Sequence, residues 1–122
     1  MATVKKVNLA DKFALFSEHW SPKVVGELNG QEVKLAKLQG EFIWHRHDEA
    51  DELFLVYKGS IKIELRDETV TLAEGEFFIV PRGIEHKPVA DNEAEVLLFE
   101  PKSTLNTGQH KSERTIVNPE VI

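Results

Sequence analysis

From Glu32 to Glu100 the chain runs as short apolar or alternating stretches, each cut off by Gly, Pro or charged residues. Punctuation of this kind dictates strands. The candidate strands are Glu32–Leu38, Phe42–Arg46, Glu52–Tyr57, Ser60–Arg66, Thr69–Leu72, Phe77–Val80, His86–Ala90 and Ala94–Glu100. Ile61, Ile63 and Leu65 alternate with Lys62, Glu64 and Arg66, as a strand with one buried and one wet face requires. Asp67-Glu68 is short enough to close a hairpin onto Thr69–Leu72, and Lys58-Gly59 and Ala73-Glu74-Gly75 supply further turns. Pro81-Arg82-Gly83 stops the apolar strand before it, because proline lacks an amide donor, and so sets where His86 enters the next one. The expected fold class is all-β.

A chain of 122 residues suits one domain with a real core and is short for two. Residues 1–25 are the least regular and are expected to form an arm packed on the main domain or on a partner subunit. Within it, Val4–Leu9 suggests a strand and Asp11–His19 a helical turn presenting Phe13, Phe16 and Trp20. Residues 102–122 form a polar extension, expected either to wrap back with His110 or Arg114 near the site or to remain an exposed tail. Leu53–Tyr57 and Phe77–Val80 are apolar on both faces, more surface than so short a chain covers by itself, so a homodimer is expected.

Composition narrows the function classes. A net charge of −6 gives no basic excess to attract nucleic acid or an anionic membrane, and neither partner is expected. Cysteine is absent, which removes disulfides, thiolate ligands and cysteine nucleophiles together. No segment approaches the roughly 20 apolar residues of a membrane helix, and the first residues do not read as a secretion signal. A cytoplasmic protein is the expectation.

The chemistry centres on His45-Arg46-His47. On a strand, His45 and His47 point to one side with Cα atoms about 6.5 Å apart, leaving Arg46 on the other. Glu52 shares the parity of Phe54 and Val56 and so faces inward, whereas Asp51 and Glu85 alternate away. Any one of these residues alone fits a solvated or turn-capping role; His45, His47, Glu52 and His86 together can converge on a single cation. Imidazole nitrogen and carboxylate oxygen suit one divalent transition metal, Zn, Fe, Mn, Ni or Co. A five- or six-coordinate ion would keep positions open for a small-molecule ligand, while four-coordinate zinc would be closed. Ile43, Phe54, Val56, Phe77 or Ile79, and Leu98 are candidate pocket walls, with Arg82 and Lys87 at the rim.

These residues resemble the cupin superfamily. Gly40, His45, His47, Glu52 and Gly59 follow its first motif, with four residues rather than five between Gly40 and His45. Gly75, Pro81, Gly83 and His86 follow the second, with Ala90 where the family pattern has asparagine. The resemblance implies a single-domain jelly-roll β-barrel over residues 26–101, metal ligation by His45, His47, Glu52 and His86, and dimers. It is nearest the small single-domain cupins of the mannose-6-phosphate isomerase-like group. The function it implies is a metal-dependent enzyme acting on a small oxygenated metabolite by oxidation or isomerisation, with a non-catalytic metal- or ligand-binding module as the alternative.

Overall fold

In the computed structural model, which describes residues 5–122, a short helix precedes seven strands. The elements are α1 (Leu9–Phe13), β1 (Lys23–Leu28), β2 (Gln31–Glu41), β3 (Glu52–Lys58), β4 (Ile61–Leu65), β5 (Thr69–Leu72), β6 (Phe77–Val80) and β7 (His86–Pro101). Val4, where the first expected strand would begin, lies outside the described residues. Lys5–Asn8 is irregular, and Asn8 caps α1 by accepting the amide of Asp11 at 2.9 Å.

The sheet is organised by β7. Its Glu95–Phe99 portion pairs with both β2 and β3, while His86–Val89 pairs with β4. The path runs β1-β2-β7-β3-β6, and β5 attaches through β4 as a second branch. Between Leu38↔Ala94 and Gly40↔Ala90 the register shifts by two residues, so Asp91, Asn92 and Glu93 bulge outward opposite Gln39. A bulge of this kind re-aims the strand and its side chains. It lets one continuous strand replace the two expected at His86–Ala90 and Ala94–Glu100.

The closed jelly-roll barrel is not found. The outer strands β5 and β6 each pair on one side only, β1 meets only an isolated bridge from Val121 on its outer side, and among the described residues no ladder joins any of the three to another. Closure needs two edges of matching length in register, and β5 and β6 have only four residues each. Exposed Thr69 and Thr71 on β5, and exposed Phe77 and Ile79 on β6, meet no further strand. The sheet is mostly β and cupin-like, but open.

Inward side chains of both branches still meet in one core. Ala36 and Leu38 from β2, Phe54 and Val56 from β3, Ile61 and Ile63 from β4, and Val96 and Leu98 from β7 pack together. On the other side of β2, Leu35 is fully buried against Phe13 and Phe16. Removing a leucine side chain of this size from water is worth about 1.5–3 kcal/mol, which explains why the helix docks there. Tyr57 closes the edge of this second cluster by stacking on Phe13, with ring centroids 5.3 Å apart.

The strand expected over Phe42–Arg46 does not form. Only His45 pairs, through reciprocal backbone bonds with His86: the His45 amide donates to the His86 carbonyl at 3.0 Å and the His86 amide donates to the His45 carbonyl at 2.9 Å. That isolated bridge binds the two motifs face to face, and it is what the site is built on.

Candidate metal centre

His45, His47, Glu52 and His86 are all buried, and one ligand atom from each lies within 4.8 Å of every other. Bonds of about 2.1 Å to one ion place neighbouring donors about 3–4.3 Å apart, so the cluster is within about half an ångström of a chelating arrangement. It is able to hold a metal. His47 Nε2 and His86 Nε2 approach Glu52 Oε1 at 3.2 and 3.5 Å.

Backbone carbonyls fix how two of the rings face. Nδ1 of His45 lies 2.9 Å from the Ile43 carbonyl and Nδ1 of His86 lies 2.9 Å from the Ile84 carbonyl. A carbonyl only accepts, so each Nδ1 carries a proton and each ring turns its Nε2 inward. Orientation of this sort is what metal-binding imidazoles need. Meanwhile His47 Nε2, Glu52 Oε1 and His86 Nε2 are buried without a hydrogen-bond partner. Such orphans cost about 1–3 kcal/mol each, and a shared cation is the group that satisfies all three.

Two glycines hold the backbone of His47. Gly83, at φ +79°, donates its amide to the His47 carbonyl at 2.8 Å and completes the Pro81-Arg82-Gly83 turn. Gly108, at φ +59°, passes so close that a Cβ there would sit 2.0 Å from the Arg46 carbonyl oxygen and 3.2 Å from His47 Nδ1. The neighbouring Gln109 amide donates to that Arg46 carbonyl at 3.1 Å. Thus the carboxyl-terminal extension straps the His-Arg-His segment in place, a role the sequence left open between wrapping and free tail.

Electrostatics divide the cluster. Burial, reinforced by the nearby His86, lowers the His45 pKa from 6.5 to about 4. Burial alone would raise Glu52, but the approach of His47, His86 and Glu100 outweighs it and holds the carboxyl well below the usual range. Glu100 goes the other way: burial and then the Glu52 charge push it well above the ordinary carboxylate value, against the pull of Lys34. Lys34 Nζ lies 3.0 Å from Glu100 and 3.7 Å from Glu32, all three buried.

This inner charge line was missed from the sequence. Glu32 and Lys34 share the parity of Ala36 and Leu38, and Glu100 that of Leu98 and Val96, so alternation was the signal that could have found them. The other sequence-level candidates separate cleanly. Phe54 and Leu98 line a pocket beside the cluster, whereas Val56 is core and Phe77 and Ile79 are exposed. Arg82 pairs with Asp51, Lys87 with Glu41 and Glu64, and Glu85 with Arg66. Arg66 in turn stacks on Trp44 at 3.8 Å, away from the cluster. Arg114 reaches the rim by donating to the Glu41 carbonyl at 3.0 Å, its guanidinium over Phe42.

Next to His45 and Glu52 lies a narrow cavity of about 30 Å³, walled by Trp20, Pro22, Leu38, Phe42, Phe54, Pro88, Leu98 and Asn106. Trp20 stands at its mouth in the left-handed region, φ 60°, unusual for a bulky residue. Its amide donates to Lys37, its indole Nε1 donates to the Gln39 carbonyl, and its ring stacks on Phe42 at 4.8 Å. Three contacts over-determine one strained residue, a pattern that gathers at binding sites.

An open cupin-like sheet carrying a buried three-histidine, one-glutamate cluster defines a class, and residues 31–100 match the model of the Cupin domain: the chain belongs to the cupin family. The chain is similar to a cupin-2 domain containing protein from Shewanella frigidimarina NCIMB 400, with 46% identity, a TM-score of 0.78, and coverage of 79% of this chain and 94% of that one. It is also similar to protein NMB1881 from Neisseria meningitidis, at 28% identity and a TM-score of 0.74, over 80% of this chain and all of that one. Among curated proteins, the uncharacterized protein YdbB of Bacillus subtilis (strain 168) is 38% identical over 64 residues, 52% of this chain. That match spans only 57% of YdbB. Among the described residues, no helix is long and apolar enough to cross a membrane.

The depressed His45 pKa has a checkable consequence. Between about pH 6.5 and pH 4 the unfolded imidazole takes a proton that the folded one refuses, so in the metal-free protein this group removes stability as pH falls through that window. Above about pH 6.5 it is silent. Wild type is therefore expected to lose stability relative to His45→Gln on acidification from pH 6.5 to 4, and ¹⁵N NMR should show a neutral His45 ring at pH 5. A protonated ring at pH 5, or parallel stability curves, would contradict the assignment.

Proposed function

We propose that this cupin is a metal-dependent enzyme acting on a small oxygenated metabolite, by oxidation or by isomerisation. His45, His47, Glu52 and His86 are its ligands for one divalent transition metal, Zn, Fe, Mn, Ni or Co. The observation that carries this reading is the set of buried, unpartnered donors at the foot of a pocket. A divalent ion there would polarise a carbonyl, acidify water or an enol, or, as iron, bind oxygen. The protein's own part is to keep His45 and His86 in the Nδ1–H tautomer, to hold Glu52 ionised, and to keep the pocket wall dry with Leu38, Phe54 and Leu98.

One observation favours the second reading, a non-catalytic metal- or ligand-binding module. Apart from His45 and Glu52, the pocket wall holds no acid or base. Membership of the mannose-6-phosphate isomerase-like group is part of our proposal for motif spacing and ligand set, not for substrate. Absence of cysteine supports a reducing, cytoplasmic setting. Exposed Phe77 and Ile79, beside Leu55 and Leu53 on β3, support a homodimer through that face.

Metal-loaded protein is expected to turn over small hydroxy or keto compounds, detected as oxygen uptake for oxidation or as solvent deuterium incorporation for isomerisation. Glu52→Gln should reduce that rate by more than the roughly 10–100-fold typical of losing an outer partner. A bound metal with no turnover, and with no exchangeable water detected by proton relaxation of the manganese form, would instead establish the binding module. Light scattering of wild type and Phe77→Lys/Ile79→Lys tests the dimer: a shift to monomer is expected, and a monomeric wild type would remove it.

A further inference from the structure

Resting on that metal-centre reading, the pocket beside the cluster identifies what kind of molecule it takes: we infer that the ligand is a small monoanionic oxygen chelate with a hydrocarbon body, neither phosphorylated nor polyhydroxylated. The wall decides this. Trp20, Leu38, Phe42, Phe54, Pro88 and Leu98 present carbon to the space, and no Lys or Arg lines it.

Asn106 is the one polar wall residue outside the donor set, and its amide is already engaged. Nδ2 donates to the Arg114 carbonyl and Oδ1 accepts the Ile116 amide, each at 2.8 Å, which staples the extension across the rim. The Arg114 guanidinium donates to the Glu41 carbonyl and lies over the Phe42 ring. A sugar would therefore bury hydroxyls against Leu38, Phe54 and Leu98 with nothing to receive them, at about 1–3 kcal/mol per unpaired group.

Charge points the same way. Three neutral imidazoles and the Glu52 carboxylate leave a divalent ion with one net positive charge, which a monoanion neutralises and a phosphate dianion overshoots. Adjacent oxygens on the occupant then meet the His45/His47/Glu52/His86 cluster, while its carbon chain lies along Leu98 and Phe54 toward the Trp20–Phe42 stack. Specificity comes from rejection: the site discriminates by what its wall cannot hydrogen-bond.

The test uses the full chain loaded with Co(II) and three probes that share one chelating end: 2-hydroxybutyrate, its near-isostere glycerate, which carries hydroxyl in place of the terminal methyl, and 3-phosphoglycerate. Cobalt uptake is measured first, by elemental analysis and the visible spectrum. Binding is then read from the change in that spectrum and by calorimetry. An apolar wall discriminates against an added hydroxyl by about 10- to 100-fold, so 2-hydroxybutyrate is expected to bind tighter than glycerate by that factor and 3-phosphoglycerate not to bind. Leu98→Asn, which gives the wall a donor, should narrow the gap while cobalt uptake stays unchanged. Cobalt bound with glycerate or 3-phosphoglycerate equal to or tighter than 2-hydroxybutyrate, or with none of the three binding, overturns the ligand class alone. No cobalt uptake overturns the metal-centre reading beneath it.

Discussion

Burying the Glu52 carboxylate against three imidazoles is the contact on which the rest of this structure turns. A lone carboxylate in so dry a place would protonate or resist folding. Here two things hold it ionised. His47 and His86 face it directly, and Glu100, itself pushed toward the neutral acid, sits behind it with Lys34 closing the line. The sheet thus carries a graded row of charge inside its own core, and the unpartnered atoms at its end are able to hold a cation.

Geometry at the cluster follows from backbone features that lie elsewhere. The bulge at Asp91–Glu93 lets β7 pair with β3 through one half and with β4 through the other while β2 runs along both, and so places His86 opposite His45. Each ring is then locked by the carbonyl two residues before it, Ile43 for His45 and Ile84 for His86. Gly83 and Gly108 clamp His47 from two directions because only a residue without Cβ fits the second approach. None of these devices supplies a ligand atom, yet each narrows where the donor atoms can go.

Much of the site was legible because its logic is local. Two residues of separation carried His45 and His47 to the same side even though Phe42–Arg46 is not a ladder strand, since one bridge is enough to keep the segment extended. Parity with Phe54 separated Glu52 from Asp51, which indeed turns out to receive the Arg82 amide at 2.9 Å. Non-local features escaped. β1 was hidden by Gly26 and by Lys23, a lysine that reads as solvent-facing but is buried between Glu18 and Glu120. Barrel closure was expected from strand count and family likeness, but whether two edges pair depends on their lengths and on what else covers them. Strand patterning reports neither, and the four-residue β5 and β6 leave the sheet open. The strap of residues 106–109 rests on glycine packing against Arg46, which has no periodic signature.

The central claim, that one ion sits among these four side chains, is met most directly by anomalous X-ray diffraction at the metal edge from crystals equilibrated with one equivalent of zinc. The account predicts a single peak about 2.0–2.2 Å from Nε2 of His45, His47 and His86 and from an oxygen of Glu52. A peak held by other residues, or none at this cluster, would contradict it.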